Sequence, residues 1–249
     1  MMTISQTSSS AISDEARIAE NIEGLKARIS KACARVGRSS DEVQLVVVSK
    51  TVGLDEICDA LSYGIADFGE NRTSALMEKQ IALPAVRWHF IGRIQTNKIK
   101  DFVGRSYMVH SVASERCVQA VSARAEHMGI KQRILLEVNT SGEESKDGVA
   151  PEGLPALLQV AMGLPALEVC GLMTMAAPAN PESAGDTPIN SEVRASFALL
   201  RRLFEESKNS LDPLRKKTFS ELSMGMTDDF ETAIEEGATI VRIGRAVWR

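Results

Sequence analysis

Leu45-Val46-Val47-Val48-Ser49-Lys50 opens as an unbroken apolar run and closes on a charge. Three consecutive β-branched residues after a leucine read as a strand covered on both faces, the condition of a parallel sheet. Lys50 stands at the strand's C-terminal edge. A lysine there can lose part of its hydration, which favours the free amine, a nucleophile toward aldehydes. Taken singly, such a lysine is expected to snorkel into solvent. The chain on either side changes that expectation.

Upstream, Ser13 is placed to cap a helix that opens with Asp14 and Glu15. Ile18, Ile22, Leu25, Ile29, Cys33 and Val36 follow at steps of three and four, one apolar stripe, and Gly37 is a suitable stop. Residues 1–12 are polar and serine-rich, with no basic or apolar segment of a signal peptide, and read as a disordered tail.

Downstream, short apolar runs alternate with amphipathic stretches. Further strands are expected at 65–68, 86–91, 107–110, 134–138, 167–173, 218–222 and 239–243. Helices are expected at 55–61, after Gly69-Glu70-Asn71-Arg72 to about Gln80, and at 95–102, 114–128, 154–162, 191–208 and 228–236. The stretches 139–148 and 176–189 read as loops. Eight strands, each but the last followed by a helix, imply an α/β fold: a single (β/α)8 TIM-type barrel over 13–249 with an additional N-terminal helix. A doubly wound open sheet should carry a glycine-rich loop after its first strand, and Lys50-Thr51-Val52-Gly53 is not one.

The 249 residues suffice for such a barrel, and 44% hydrophobic with 25% charged residues is an ordinary globular composition. A net charge of −4 gives no general attraction to nucleic acid or anionic membranes. No run reaches the length of a membrane span. Cys33, Cys58, Cys117 and Cys170 form no C-x-x-C pair, and His89, His110 and His127 do not cluster in sequence, so no metal site is expected. Reduced thiols point to the cytoplasm.

In a barrel the working groups sit at the C-terminal ends of the strands. Those positions hold Lys50, Asn71 with Arg72, Gly92 with Arg93, Asn139, Met173 with Thr174, Ser223-Met224-Gly225-Met226, and Arg242 with Gly244. Barrels often hold phosphate with the loops after strands seven and eight. In the seventh loop Ser223 offers a hydroxyl, Gly225 permits close backbone approach, and Thr227 can cap a helix from Asp228. Ile243-Gly244-Arg245 offers a second tight approach. A lysine on strand one and a phosphate cup on strands seven and eight suit pyridoxal 5′-phosphate, whose aldehyde needs an amine and whose ring nitrogen needs a partner. Arg242 is the candidate partner: a guanidinium can only donate, so it disfavours the pyridinium form and leaves a weak electron sink. His89 and His110, within strands, are expected to be packed and hydrogen-bonded rather than catalytic. Lys98 is expected to be a solvated charge.

Several ordered segments carry a family resemblance. They are Val47-Val48-Ser49-Lys50, Phe68-Gly69-Glu70-Asn71-Arg72, Trp88-His89-Phe90-Ile91-Gly92, Gln95-Thr96-Asn97-Lys98, Gly171-Leu172-Met173-Thr174-Met175, Ser223-Met224-Gly225-Met226 and Val241-Arg242-Ile243-Gly244. From about residue 15 to the end the chain resembles the pyridoxal phosphate homeostasis proteins, a family similar to the N-terminal domain of alanine racemase. The resemblance implies an internal aldimine on Lys50. It also implies a phosphate held by Ser223, Gly225, Gly244 and neighbouring backbone, including Met224 and Arg245. Arg242 would face the ring nitrogen, with Asn71 and Met173 beside the cofactor. It implies storage or delivery of the cofactor, with pyridoxal-phosphate-dependent apo-enzymes as recipients and a monomer as the expected state. Two departures stand out: Arg245 occupies a position where the family commonly has a small hydroxyl residue, and Trp248-Arg249 replaces the usual ending.

The alternative is a racemase or decarboxylase on the same barrel. By resemblance, alanine racemases add a β-rich domain whose tyrosine is a second base. This sequence ends with the eighth strand, and Tyr63 and Tyr107 fall away from the strand C-termini, so no catalytic residue is expected beyond reversible attachment at Lys50.

Overall fold

The computed structural model describes residues 14–142, 147–176 and 189–249. The expected tail at 1–12 and the capping role of Ser13 lie outside the described residues, as do parts of the two loops expected at 139–148 and 176–189.

Eight strands form the barrel: β1 Gln44–Val48, β2 Asp67–Glu70, β3 Arg87–Phe90, β4 Met108–Val112, β5 Gln132–Glu137, β6 Leu167–Met173, β7 Glu221–Ser223 and β8 Ile240–Ile243. They pair in sequence order, and β8 returns to β1 in parallel, Val46 beside Arg242, to close the ring. The helices are α1 Asp14–Arg35, α2 Leu54–Ser62, α3 Thr73–Ala82, α4 Ile99–Phe102, α5 Glu115–His127, α6 Leu154–Met162, α7 Ile189–Ser210, α8 Pro213–Thr218, α9 Phe230–Glu235 and α10 Arg245–Trp248. The (β/α)8 barrel and the additional N-terminal helix are both present.

Several elements differ from the sequence reading; the second strand, expected at 65–68, runs Asp67–Glu70, and the helix expected from 228 begins at Phe230. The stretch from 218 does not open β7; α8 ends there and β7 starts at Glu221. Asp212 caps α8, its carboxylate accepting from the N–H groups of Leu214 and Arg215 at 3.0 Å each, with Pro213 in the first turn. The helix expected over 95–102 is a 3-10 turn, Thr96–Lys98, running into the four-residue α4. And α10 follows β8, where no helix was expected.

Most apolar side chains fill the space between sheet and helices, with Phe68, Trp88, Phe90, Phe102, Phe197 and Phe230 all buried. A smaller cluster, Val46, Met108, Leu135, Cys170, Met173 and Ile240, occupies the barrel interior. The α1 stripe buries Ile18, Ile22, Leu25, Ile29 and Cys33 against α2, α9 and α10. Val36 lies past the helix end and is 41% exposed. Trp248 Nε1 donates to Val48 O at 2.7 Å, and Asn21 Nδ2 donates to Val247 O and Arg249 O at 3.1 and 3.0 Å. So α1 and α10 together clamp the C-terminal end of β1, two residues before Lys50.

Candidate functional site

The C-terminal mouth begins at Ser49-Lys50. Lys50 is exposed, the solvent-facing placement expected of a strand-end lysine taken singly. The residue before it is rigidly held. Ser49 is fully buried and its hydroxyl donates to Glu70 Oε1 at 2.7 Å. Lys79 of α3 reaches in, donating to Glu70 Oε1 at 2.6 Å and to Ser49 O at 2.8 Å. Glu70 Oε2 makes no hydrogen bond among the described residues. Asn71, exposed, follows β2, and Gly92 follows β3. A Cβ on Gly92 would stand 2.1 Å from Asn71 O, so only glycine lets these two loops touch.

Across the mouth, Arg242 projects from β8 and is 4% exposed. Its Nη1 donates to Ser223 Oγ at 2.6 Å and its Nη2 to Thr174 O at 2.9 Å. Burial pulls its pKa down to about 10, against the opposing pull of Glu137 and Asp229, so it stays cationic near neutrality. Glu137, at the end of β5, is 3% exposed. Burial pushes its carboxyl up to about 7, Asp147 adds to this, and Arg242 and Arg93 oppose it.

Ser223 is fully buried and turns into the barrel, not outward. Besides Arg242 it meets His110 Nδ1 at 3.0 Å. His110 Nε2 meets His89 Nδ1 at 2.8 Å, and His89 Nε2 meets Asp67 Oδ1 at 3.0 Å. Arg87 holds Asp67 bidentately, at 2.7 and 2.5 Å. Burial alone would raise Asp67, but its bonds to Arg87 and His89 outweigh it and hold the carboxyl down at about 2. Burial, with His89 and Arg242 adding to it, keeps His110 well below its ordinary range. Both histidines are thus packed and hydrogen-bonded, as the sequence reading expected of strand histidines.

The loops after β7 and β8 lie side by side. Met224 is buried, and Met173 at the end of β6 is 1% exposed. Gly225 has φ +94, and a Cβ there would stand 2.6 Å from Ala233 Cβ. Its carbonyl accepts from Arg242 N at 2.9 Å. Thr227 does not cap α9. The cap position is Asp229, whose Oδ1 accepts from Met226 N at 2.5 Å, and α9 begins at Phe230. Gly244 approaches β1: a Cβ there would stand 3.2 Å from Val48 O. Arg245 forms an ion pair with Asp228, tying the two loops together.

The barrel therefore brings Lys50, Asn71, Met173, Ser223, Met224, Gly225, Arg242, Gly244 and Arg245 to one end. Comparison with known proteins bears on what that end serves. Residues 14–249 match the family model described as the alanine racemase N-terminal domain. The pyridoxal phosphate homeostasis protein of Aquifex aeolicus is 40% identical over 227 residues, covering 90% of this chain and 94% of the relative. The chain belongs to the pyridoxal phosphate homeostasis protein family.

The solved structure of PipY from Synechococcus elongatus with PLP bound superposes with a TM-score of 0.73 at 28% identity, covering 93% of this chain and 100% of PipY. Alanine racemase from Corynebacterium glutamicum shares the fold at 13% identity, with a TM-score of 0.68, and this chain covers 60% of it. Four features of this homeostasis-family member escaped the sequence reading: the Glu70–Lys79 brace, Glu137, the Trp248 clamp, and the polar chain from Arg242 to Asp67. Strand parity could have found the last. His89 is two residues from Arg87, His110 two from Met108, and Arg242 two from Ile240, which marks one inward-facing set. The Trp248 clamp joins residues 200 apart in sequence and leaves no local signal.

Proposed function

We propose that this chain binds pyridoxal 5′-phosphate at the barrel mouth and serves the cytoplasmic supply of that cofactor rather than a reaction of its own. The observation that carries the reading is the placement of Lys50 and Arg242 at the C-terminal ends of the paired strands β1 and β8, beside the two glycine-bearing loops. The donor set fits the group. Lys50 Nζ is accessible to condense with an aldehyde, releasing water. Gly225 and Gly244 let backbone come close to a phosphate. Arg242, cationic and fixed by Ser223 and Thr174, donates toward a ring nitrogen and cannot accept from it. When bound, the cofactor supplies an electron sink, and an arginine partner keeps it weak.

The carrier reading is supported by the relatives' name and by the tyrosines. Tyr63 ends α2 and Tyr107 precedes β4 on the opposite face of the barrel, so neither reaches the mouth. No helix of the described residues is long and apolar enough to cross a membrane, and the cysteines, Cys33 and Cys170 buried among them, are free. The exposed large apolar side chains of the described residues, such as Ile81 and Leu214, sit on separate elements, which suits a monomer. Recipient apo-enzymes would draw the cofactor from this open mouth.

The test is α-proton exchange into heavy water for a panel of L-amino acids, wild type against Lys50→Ala. The carrier reading predicts exchange no faster than that of free cofactor with the same amine. Turnover at roughly 1 s⁻¹ or faster, lost in Lys50→Ala, would make the chain a racemase or decarboxylase instead.

A further inference from the structure

The polar chain inside the barrel has two self-consistent proton arrangements, and the charge on His89 separates them. Arg242 has donors only, so Ser223 Oγ accepts from it across 2.6 Å. Ionised Asp67 has acceptors only, so His89 donates to it from Nε2 at 3.0 Å. In the arrangement with a neutral His89, its Nδ1 accepts from His110 Nε2 at 2.8 Å. His110 Nδ1 then accepts from the Ser223 hydroxyl at 3.0 Å. Both rings are neutral in that arrangement, and every hydrogen points away from the mouth. In this state the Ser223 hydroxyl has nothing left to give an anion in the cup.

We propose that His110 and His89 are positioning residues that couple ligand seating to the uptake of one proton, which reverses the chain and turns the Ser223 hydroxyl toward the ligand. This rests on the reading of the mouth as a pyridoxal phosphate site. The balance is simple. One proton from solvent forms an N–H bond at His110 Nδ1. The His110 Nε2–H bond breaks and its proton crosses 2.8 Å to His89 Nδ1. His110 is again neutral, now donating from Nδ1 to Ser223 Oγ. His89 carries the charge, donating to Asp67 from Nε2 and to His110 from Nδ1. Ser223 Oγ accepts from both Arg242 and His110, which its two lone pairs allow, and its hydrogen is free for a phosphate oxygen.

The surroundings favour this end point. Asp67 on β2 faces the imidazolium directly and stays ionised at neutral pH, held down at about 2. Arg87 on β3 shares that carboxylate, so Asp67 keeps its place. Tyr107, ahead of β4, lies against His89 with ring centroids 5.4 Å apart, and Arg133 of β5 lies over the Tyr107 ring at 4.7 Å. Arg242 on β8 and Glu137 on β5 stand at the mouth end, and Cys170 on β6, its thiol pushed up to about 11 by burial, is neutral. The relay thus moves the added charge from the side of Arg242 to the side of Asp67. Asp67 also lines a recess of about 390 Å³ at the N-terminal face.

Nitrogen-15 spectra of the imidazoles test this directly, because the chain has only three histidines and His127 lies outside the relay. In the ligand-free protein, His89 and His110 should both show the Nε2–H neutral form. Saturation with pyridoxal phosphate should switch His110 to Nδ1–H and protonate His89 at both nitrogens. Calorimetry in buffers of different ionisation heat should give one more proton taken up by wild type than by His110→Gln, since an amide can accept from Ser223 but cannot be protonated. Contributions of the ligand and of Lys50 cancel in that comparison. Bound ligand with unchanged tautomers, or an Nδ1–H form of His110 before ligand, overturns the relay while leaving the site reading intact. Failure to bind pyridoxal phosphate at all, visible in the absorbance of the same sample, overturns the site reading and the relay with it.

Discussion

Glu137 and Asp67 are both buried acids in the barrel, and their environments push them in opposite directions. Burial and Asp147 raise Glu137 to about 7 in the fold. The unfolded chain loses that proton earlier, so stability falls as pH rises from the ordinary carboxylate range through about 7, by up to ~3 kcal/mol. Glu137→Gln should therefore be more stable than wild type at pH 8, with the difference gone near pH 4.5. Urea unfolding at the two pH values checks this, and an unchanged pH dependence would contradict it. Asp67 is held down at about 2, so its contribution is present above the ordinary range and lost as pH falls through about 2. Asp67→Asn should cost about 2 kcal/mol at pH 7 and little at pH 2. Ser223→Ala should cost about 1–3 kcal/mol, because it strips Arg242 of an acceptor and His110 of a hydrogen-bond partner, both buried in the barrel. At this scale the sequence was legible in part. Arg242 and Ser223 could be placed at strand ends, but the inward turn of Ser223 follows from partners on β4 and β8 that no local pattern reveals.

Among the elements, the strand ends were readable where apolar runs were long, as in β1 and β6, and poorly where they were short. The three-residue β7 and the six-residue α8 carry too little periodicity to mark their edges. The Asp212-Pro213 cap signal was nonetheless present. The short α10 is set by tertiary contact: Trp248 is held by Val48 O, and Asn21 of α1 takes the Val247 and Arg249 carbonyls. Close approach between elements gives a sharper prediction. Gly92→Ala would place a methyl 2.1 Å from Asn71 O, in backbone that cannot step aside as a side chain could. It should lower stability by about 1–3 kcal/mol or more and displace Asn71 from the mouth. Thermal unfolding together with pyridoxal phosphate affinity reads both effects, and a wild-type melting temperature would contradict the geometry.

For the whole molecule, barrel closure does the work that sequence motifs alone cannot. Ring order β1 to β8 puts the first and last strands side by side, so Lys50 and Arg242, far apart in sequence, share one mouth. That much followed from counting strands, because topology fixes which ends converge. The interior polar chain spans the same barrel from Asp67 at the start of β2 to Ser223 at the end of β7, and only side-chain geometry shows it. Ligand held by the folded mouth should also stabilise the whole fold, by about 2.7 kcal/mol at a concentration one hundred times Kd. Lys50→Ala should show much less of that gain at equal ligand while unfolding like wild type without it, since an exposed side chain contributes little to packing. The most direct measurement is borohydride reduction of the protein loaded with pyridoxal phosphate, followed by digestion and mass spectrometry. A single pyridoxyl adduct on Lys50, absent from Lys50→Ala, is the predicted result; an adduct on Lys79, Lys98 or any other lysine instead, or none at all, would contradict it.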